Sequence, residues 1–313
     1  MDKNIKIVVV CGGFSSEREV SLKSGYAVYN ALKNSGFSNS ELFDLTDNNL
    51  SELIDKKPDL VYIALHGIGG EDGCIQGALE LANIPYTGPG IETSALCMNK
   101  VITKQIMVYY GIPTAKFLVF NKFKNLSAEN IATQILNEIG LPVVLKSPCQ
   151  GSSVGVIIVK DKNNLERAVE EIYTYGDVLL AEEFLSGVEI TLPILGNQEL
   201  TILPEVEITT GNEFYDYDAK YTAGKCNHII PSSLSTEEKE QVASLGAELY
   251  RVLGCKGLSR IDFIIDKVKG PMVIEVNTSP GMTEMSLFPD SAKHAGISFE
   301  ELVLRVAELG LSN

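Results

Sequence analysis

No two of the six cysteines in this chain (Cys11, Cys74, Cys97, Cys149, Cys226 and Cys255) stand in CxxC or another short metal spacing. That excludes the common zinc and dithiol motifs and leaves free thiols in a reducing compartment as the expectation. A membrane-length apolar run is missing too. The N-terminal stretch Ile5 to Cys11 is too short to span a bilayer and lacks a cleavage-site pattern, so it reads as a buried strand of a cytoplasmic protein. Positive charge is scarce: 26 Lys and Arg against 41 Asp and Glu give a net charge of -15. Such a balance argues against nucleic acid or an anionic membrane as the main partner, though a few local lysines and a metal can still hold a nucleotide. Neither standard phosphate loop is present, for GxGxxG is absent from the first glycine-rich loop and GxxxxGK[ST] from the whole chain. Internal repeats and low-complexity segments are likewise absent.

What is there suits two or three globular domains: 313 residues, 45% hydrophobic and 21% charged. From residue 5 to about 87, short apolar runs alternate with helical patterns: "IKIVVV", "REVSLKSGYAVYNALKNSG", "ELFDL", "NLSELIDK", "DLVYIAL", "IQGALELAN" and "IPYTG". That order predicts parallel strands joined by right-handed crossovers, with ligands at the carboxyl ends of the strands. Two loops fall there, "CGGFSSERE" and "HGIGGEDG". Glu17 and Asp72 have a plain explanation as acids at helix N-termini, and His66 as a hydrogen-bonded histidine at a strand end.

The stretch from Gly90 onward predicts a helix that ends at Gly111, with Pro113 just beyond. Lys100 lies within it, by default on a solvated face. In "LPVVLKSPCQGSSVGVIIVK", residues 141–160, Gly151, Ser152, Ser153 and Gly155 form a small-residue loop between strands. Lys146 closes an otherwise apolar strand, an arrangement that favours phosphate over a plain hairpin. "NLERAVEEIYTYG" presents Leu165, Ala168, Val169, Ile172 and Tyr173 at core-facing helical spacing. The acids of the interval Glu182 to Gly187 either face solvent or hold an adenine amino group and a ribose. "FYDYDAKYTAGK", residues 214–225, has no clear period and reads as a lid or a mobile surface loop. Capping boxes, Ser235 with Glu238 and Ser298 with Glu301, open the last two long helices.

Between those helices lies "IDFIIDKVKGPMVIEVNTSPGM". A hairpin symmetric about Val268 and Lys269 sets Asp262 opposite Glu275, with Asn277 on the same face. Facing carboxylates repel unless something positive sits between them. The spacing leaves two readings open, a divalent cation or a solvated edge.

The segments "GGFSSEREVSLKSG", "LHGIGGEDGCIQGALE", "GSSVG", "AEEFLSGVE", "FYDYDAKY", "SRIDF" and "EVNTSPGMTEMSL", in this order, resemble the ATP-grasp enzymes and, within them, the D-alanine–D-alanine ligases. The resemblance spans nearly the whole chain. It implies an α/β ATP-grasp fold in which an N-terminal Rossmann-like parallel-sheet domain (1–96) precedes two α+β domains (97–184 and 185–313) that clamp ATP. It implies phosphate contacts from Lys100 and Lys146, adenine contacts from Glu182 and the Leu185 backbone, and ribose contacts from Glu189. Ser152, Ser153, Glu183 and Lys220 complete the nucleotide set. Asp262, Glu275 and Asn277 are implied as ligands of two Mg²⁺ ions, which Mn²⁺ can replace. Glu17 and His66 would receive the first D-alanine, Arg260 and the Gly281 N–H the oxyanion, Ser286 and Leu287 the second carboxylate. Tyr221 and Ser152 would close the site with Glu17, and the "KY" of the lid favours an amine nucleophile. The family further implies a homodimer. The chain departs from the usual Lys-Pro of the family in having Lys146, Ser147, Pro148.

Overall fold

The computed structural model describes residues 1–149, 151, 154–210, 226–283 and 285–312. Ser152, Ser153, Lys220 and Tyr221, together with the lid segment, lie outside the described residues.

The first sheet is parallel, ordered β2-β1-β3, with β1 Ile7–Gly12 between β2 Glu41–Leu45 and β3 Leu60–Ile63. β1 is apolar on both faces because both are covered. Ile7, Val9 and Cys11 meet α1 Arg18–Asn34 through Val28 and Leu32, whereas Val8 and Val10 pack with Leu53 of α2 Leu50–Asp55 and Leu79 of α3 Cys74–Leu81. The chain's last helix returns to this sheet. Leu302, Val303 and Val306 are fully buried in the same cluster as Ile7 and Val9.

A single helix through residues 90–111 does not form. It is two helices, α4 Ile91–Met98 and α5 Lys100–Tyr109, broken at Asn99, whose side chain accepts the N–H groups of Val101 and Ile102. An asparagine carboxamide that satisfies two orphan donors starts a new helix, and the apolar periodicity running through it conceals the break.

Two antiparallel sheets follow. One is ordered β4-β7-β5-β6: Phe117–Asn121, Val178–Glu183, Val143–Lys146 and Val156–Val159. Helices α6 Ala128–Glu138 and α7 Leu165–Ile172 cover one face, packing on Val143, Leu145, Leu179 and Ala181. Strand alternation therefore puts Lys146 and Glu182 on the face opposite these two helices. The other sheet is ordered β11-β10-β8-β12-β13: Cys226–Ile229, Val206–Thr210, Gly187–Gly196, Leu258–Asp266 and Gly270–Asn277, with β9 Leu200–Ile202 paired to β8. α5 and α8 Thr236–Val252 bury Ile190, Leu192, Ile261, Phe263 and Val276. Glu189, Thr191, Arg260, Asp262, Glu275 and Asn277 occupy the opposite face. Ser235 caps α8 with the expected reciprocal box to Glu238, and Ser298 accepts the Glu301 N–H at the start of α10 Phe299–Leu311. α9 Leu287–His294 precedes it.

The β12–β13 turn departs from the symmetric two-residue form. Asp266 pairs with Gly270 around three residues, because the Asp266 carboxylate accepts the N–H groups of both Val268 and Lys269 and Gly270 takes a left-handed φ of 77°. An irregularity after Asp262, where Phe263 pairs with Val273, leaves Ile274 as an extra residue and restores the Asp262–Glu275 pair.

Candidate active site

Asp262 and Glu275 face each other, and Arg260 faces Asn277. A solvated edge does not describe what surrounds the two carboxylates. Arg260 forks onto Asp262 (Nε to Oδ1 2.9 Å, Nη2 to Oδ2 2.8 Å), while Thr191 donates to Oδ1 at 2.5 Å. Lys100, only 16% exposed, pairs with Glu275 at 3.1 Å and is no solvated surface lysine. Its position follows from the break at Asn99: as first residue of α5, Lys100 donates its N–H to Pro148 O in the loop after β5. Repulsion between the two acids is thus offset by two cationic side chains, Arg260 from the same strand as Asp262 and Lys100 from α5.

A second cluster gathers around Glu182, buried at the sheet face. Lys146 forms an ion pair with its Oε2, and Lys104 of α5 lies 2.5 Å from Oε1. Glu183 pairs with Lys269 of the β12–β13 turn and accepts the Lys116 N–H, while Leu185 packs with Ala115 and Met272. The interval 184–186 therefore joins the two antiparallel sheets. Ser186 reinforces the joint by donating its N–H to Asp266 and accepting the Lys267 N–H.

The third cluster connects the first sheet to the loop after β13. Ser279 O accepts a hydrogen bond from His66 Nδ1 at 2.9 Å, which fixes the proton on that nitrogen. Nε2 then accepts from Ser24 Oγ at 3.1 Å, and Ser24 Oγ accepts the Met282 N–H. Burial lowers the His66 pKa, against the neighbouring Glu17 charge and the bond to Ser279, so the ring is neutral. The same loop continues from β13, and its Ser279 N donates to Asn277 Oδ1. Gly281 lies where an added Cβ would meet Ser286 Oγ at 2.8 Å. Ser286 accepts the Thr283 N–H and occupies the N-cap position of α9 without a side-chain cap bond, so the Leu287 N–H lies at that helix's first turn.

Glu17 stands just before α1. Its carboxylate sits so close to the backbone of Gly67 and Gly151 that a Cβ there would approach Oε2 to 3.0 and 2.8 Å. The glycine loop thus abuts Glu17. Asp72 keeps the plain role read for it, accepting the N–H groups of Gly69 and of Cys74 at the start of α3.

Several site residues escape sequence reasoning. Glu71, next to Asp72, accepts the Gly67 N–H, and burial followed by the Glu17 charge raises its pKa to about 8. Ser24, Thr191 and Ser279 are ordinary polar residues until folding surrounds them. Lys104 alone had a signal: it follows Lys100 by four residues, on the helix face that carries buried Val101 and Met107.

The D-ala D-ala ligase C-terminus family matches residues 106–308 and the D-ala D-ala ligase N-terminus family residues 35–89. A D-alanine–D-alanine ligase of Pelotomaculum thermopropionicum is 45% identical over 311 residues, 99% of this chain and 98% of the relative. Among solved structures, the D-alanine–D-alanine ligase of Bacillus anthracis complexed with ATP superposes with a TM-score of 0.83 at 34% identity, covering 98% of both chains. The VanG D-Ala:D-Ser ligase of Enterococcus faecalis does so at 0.82 and 29%, over 98% of this chain and 99% of that one. One parallel and two antiparallel sheets in this order, with both family halves and full-length relatives matched, show that the chain belongs to the D-alanine–D-alanine ligase family and has its ATP-grasp fold.

Proposed function

We propose that the protein joins two D-alanine molecules into D-alanyl-D-alanine at the expense of ATP, the dipeptide used in bacterial peptidoglycan synthesis. The observation that carries this reading is the sheet face on which Arg260, Asp262, Glu275 and Asn277 stand together, with Lys100 reaching Glu275 from α5 so that the charges balance. A carboxylate is a poor electrophile. Transfer of the γ-phosphoryl group to the first D-alanine converts one of its oxygens into a leaving group, and the neutral amine of the second then attacks the acyl phosphate.

The oxygen-only donor set of Asp262, Glu275 and Asn277 fits hard cations such as Mg²⁺, and these three residues would hold two of them. When bound, such ions neutralise charge on the transferring phosphoryl group. Arg260 and Thr191 take three of the lone pairs of Asp262 and leave one on Oδ2 for a cation, and the Arg260 guanidinium would serve the oxyanion beside the Gly281 N–H. Lys100 and Lys146 bind the phosphates, Glu182 and the Leu185 backbone the adenine, Glu189 the ribose; Glu183, Ser152, Ser153 and Lys220 complete the nucleotide set. Glu17 takes the ammonium of the first substrate with neutral His66 nearby, and Ser286 with the Leu287 N–H takes the carboxylate of the second. Tyr221 and Ser152 close over Glu17, keeping water from the acyl phosphate. Among the described residues no helix is long and apolar enough to cross a membrane; we expect a cytoplasmic homodimer.

The test is phosphate release from ATP and Mg²⁺ with D-alanine, L-alanine, D-serine or D-lactate added singly and in pairs, with products identified by mass. D-alanyl-D-alanine formed by the wild type and lost in Glu275→Gln is the expected result. A mixed D-alanyl-D-serine product in preference to the dipeptide of D-alanine would move the chain to the D-Ala:D-Ser specificity of the VanG ligase. ATP binding without D-alanine-dependent turnover would overturn the reading.

A further inference from the structure

Lys104 is 1% exposed, yet no role above uses it. Its ammonium donates to Thr114 Oγ1 at 2.6 Å, and Thr114 in turn donates to Val273 O on β13 at 2.8 Å. The same ammonium stands 2.5 Å from Glu182 Oε1 on β7 and lies over the Phe117 ring. Lys104 thus reaches from the helix packed on one antiparallel sheet to a carboxylate on the other.

Two features separate this contact from a simple structural stitch. Glu182 is held by two lysines, one per oxygen, so Lys146 is not its sole counter-charge. Deleting Lys104 would leave a buried carboxylate oxygen uncompensated and commit Lys146 wholly to Glu182. Moreover, a carboxylate oxygen carries two lone pairs, and Lys104 is the side chain that meets Oε1 among the described residues. A buried carboxylate oxygen with a lone pair left over is suited to accept an N–H from a ligand. Burial, then the charge of Lys146, push the Lys104 ammonium below its ordinary pKa, so its charged form depends on the carboxylates beside it.

We propose that Lys104 is a positioning residue of the nucleotide subsite: it holds Glu182 ionised and oriented as acceptor for the exocyclic amino group of the base, and leaves Lys146 to the phosphates. The proposal rests on the reading of Glu182 as the base acceptor.

ATP and ITP, which carries an oxo group in place of the amino group, are compared in steady-state turnover by the wild type, Lys104→Met, Glu182→Gln and the double variant. Melting without nucleotide establishes that each is folded. Lys104→Met is expected to raise KM for ATP by about tenfold or more with a smaller change in kcat, and to reduce the ATP-over-ITP preference by a similar factor. In the Glu182→Gln background the same change should cost little more, because both variants break one interaction. Should Glu182→Gln keep the full preference for ATP, the base reading of Glu182 fails, and the Lys104 proposal with it. Loss of preference in Glu182→Gln but not in Lys104→Met, or fully additive effects, overturns the Lys104 proposal alone. If Lys104→Met does not fold, Thr114→Val removes the second anchor of the ammonium. A several-fold loss of the preference is then expected, and an unchanged ratio overturns the proposal.

Discussion

Replacing Glu71 by glutamine should make the protein increasingly more stable as pH rises above 4.5 and leave it unchanged below that. The side chain keeps its shape, and the new amide oxygen can still accept the Gly67 N–H. What changes is the proton. In the fold the carboxyl is raised to about 8 from 4.5, chiefly by burial and then by the Glu17 charge. A carboxyl raised on folding contributes stability that is complete below its unfolded value and is lost as pH climbs through the folded one. The penalty therefore builds between pH 4.5 and about 8. At pH 7 this linkage is worth on the order of 3 kcal/mol at about 1.4 kcal/mol per pH unit. Partial exposure of Glu71 reduces the expected gain to about 2 kcal/mol. The chain has no tryptophan, so thermal unfolding is followed by far-ultraviolet circular dichroism at pH 4.5, 6, 7 and 8, with variant and wild type side by side. The gain should be absent at the lowest pH and grow through the series. A difference that does not depend on pH, or a variant less stable at pH 8, would show that the carboxyl is not held protonated and refute the argument.

Gly151→Ala should lower turnover by about tenfold or more with little change in melting temperature, since its Cβ would press on Glu17 Oε2 at 2.8 Å; unchanged turnover would place Glu17 elsewhere. Ser24→Ala strands the His66 Nε2 acceptor and the Met282 N–H, each at about 1–3 kcal/mol when buried, and should reduce both stability and kcat. A loss under about 0.5 kcal/mol in denaturant unfolding would mean that the network is not formed as described. Arg260→Lys keeps the charge but loses the fork onto Asp262, and kcat is expected to drop by roughly a hundredfold while ATP binding measured by calorimetry stays within a few fold.

Much of this molecule is set by local pattern. The alternation of apolar runs and helical periods gives the parallel sheet, because a strand covered on both faces has to be apolar throughout. The box at Ser235 and the one-way cap at Ser298, where Glu301 turns to Arg305 instead of closing a box, mark helix starts, because backbone donors there need local acceptors. The facing of Asp262 and Glu275 follows from the two-residue period of strands, even though the turn is three residues long and an extra residue restores the register. The tertiary structure decided the rest, for the reason that it depends on what arrives from far along the chain. Nothing near Asp262 or Glu275 reveals that Thr191 and Lys100 will meet them. The apolar period through residues 90–111 hides a break that one asparagine carboxamide creates, and that break is what aims Lys100 at Glu275. Lys104, Glu71 and Ser24 acquire their chemistry only from burial beside partners on other elements, since desolvation and close charge exist only once the sheets have packed.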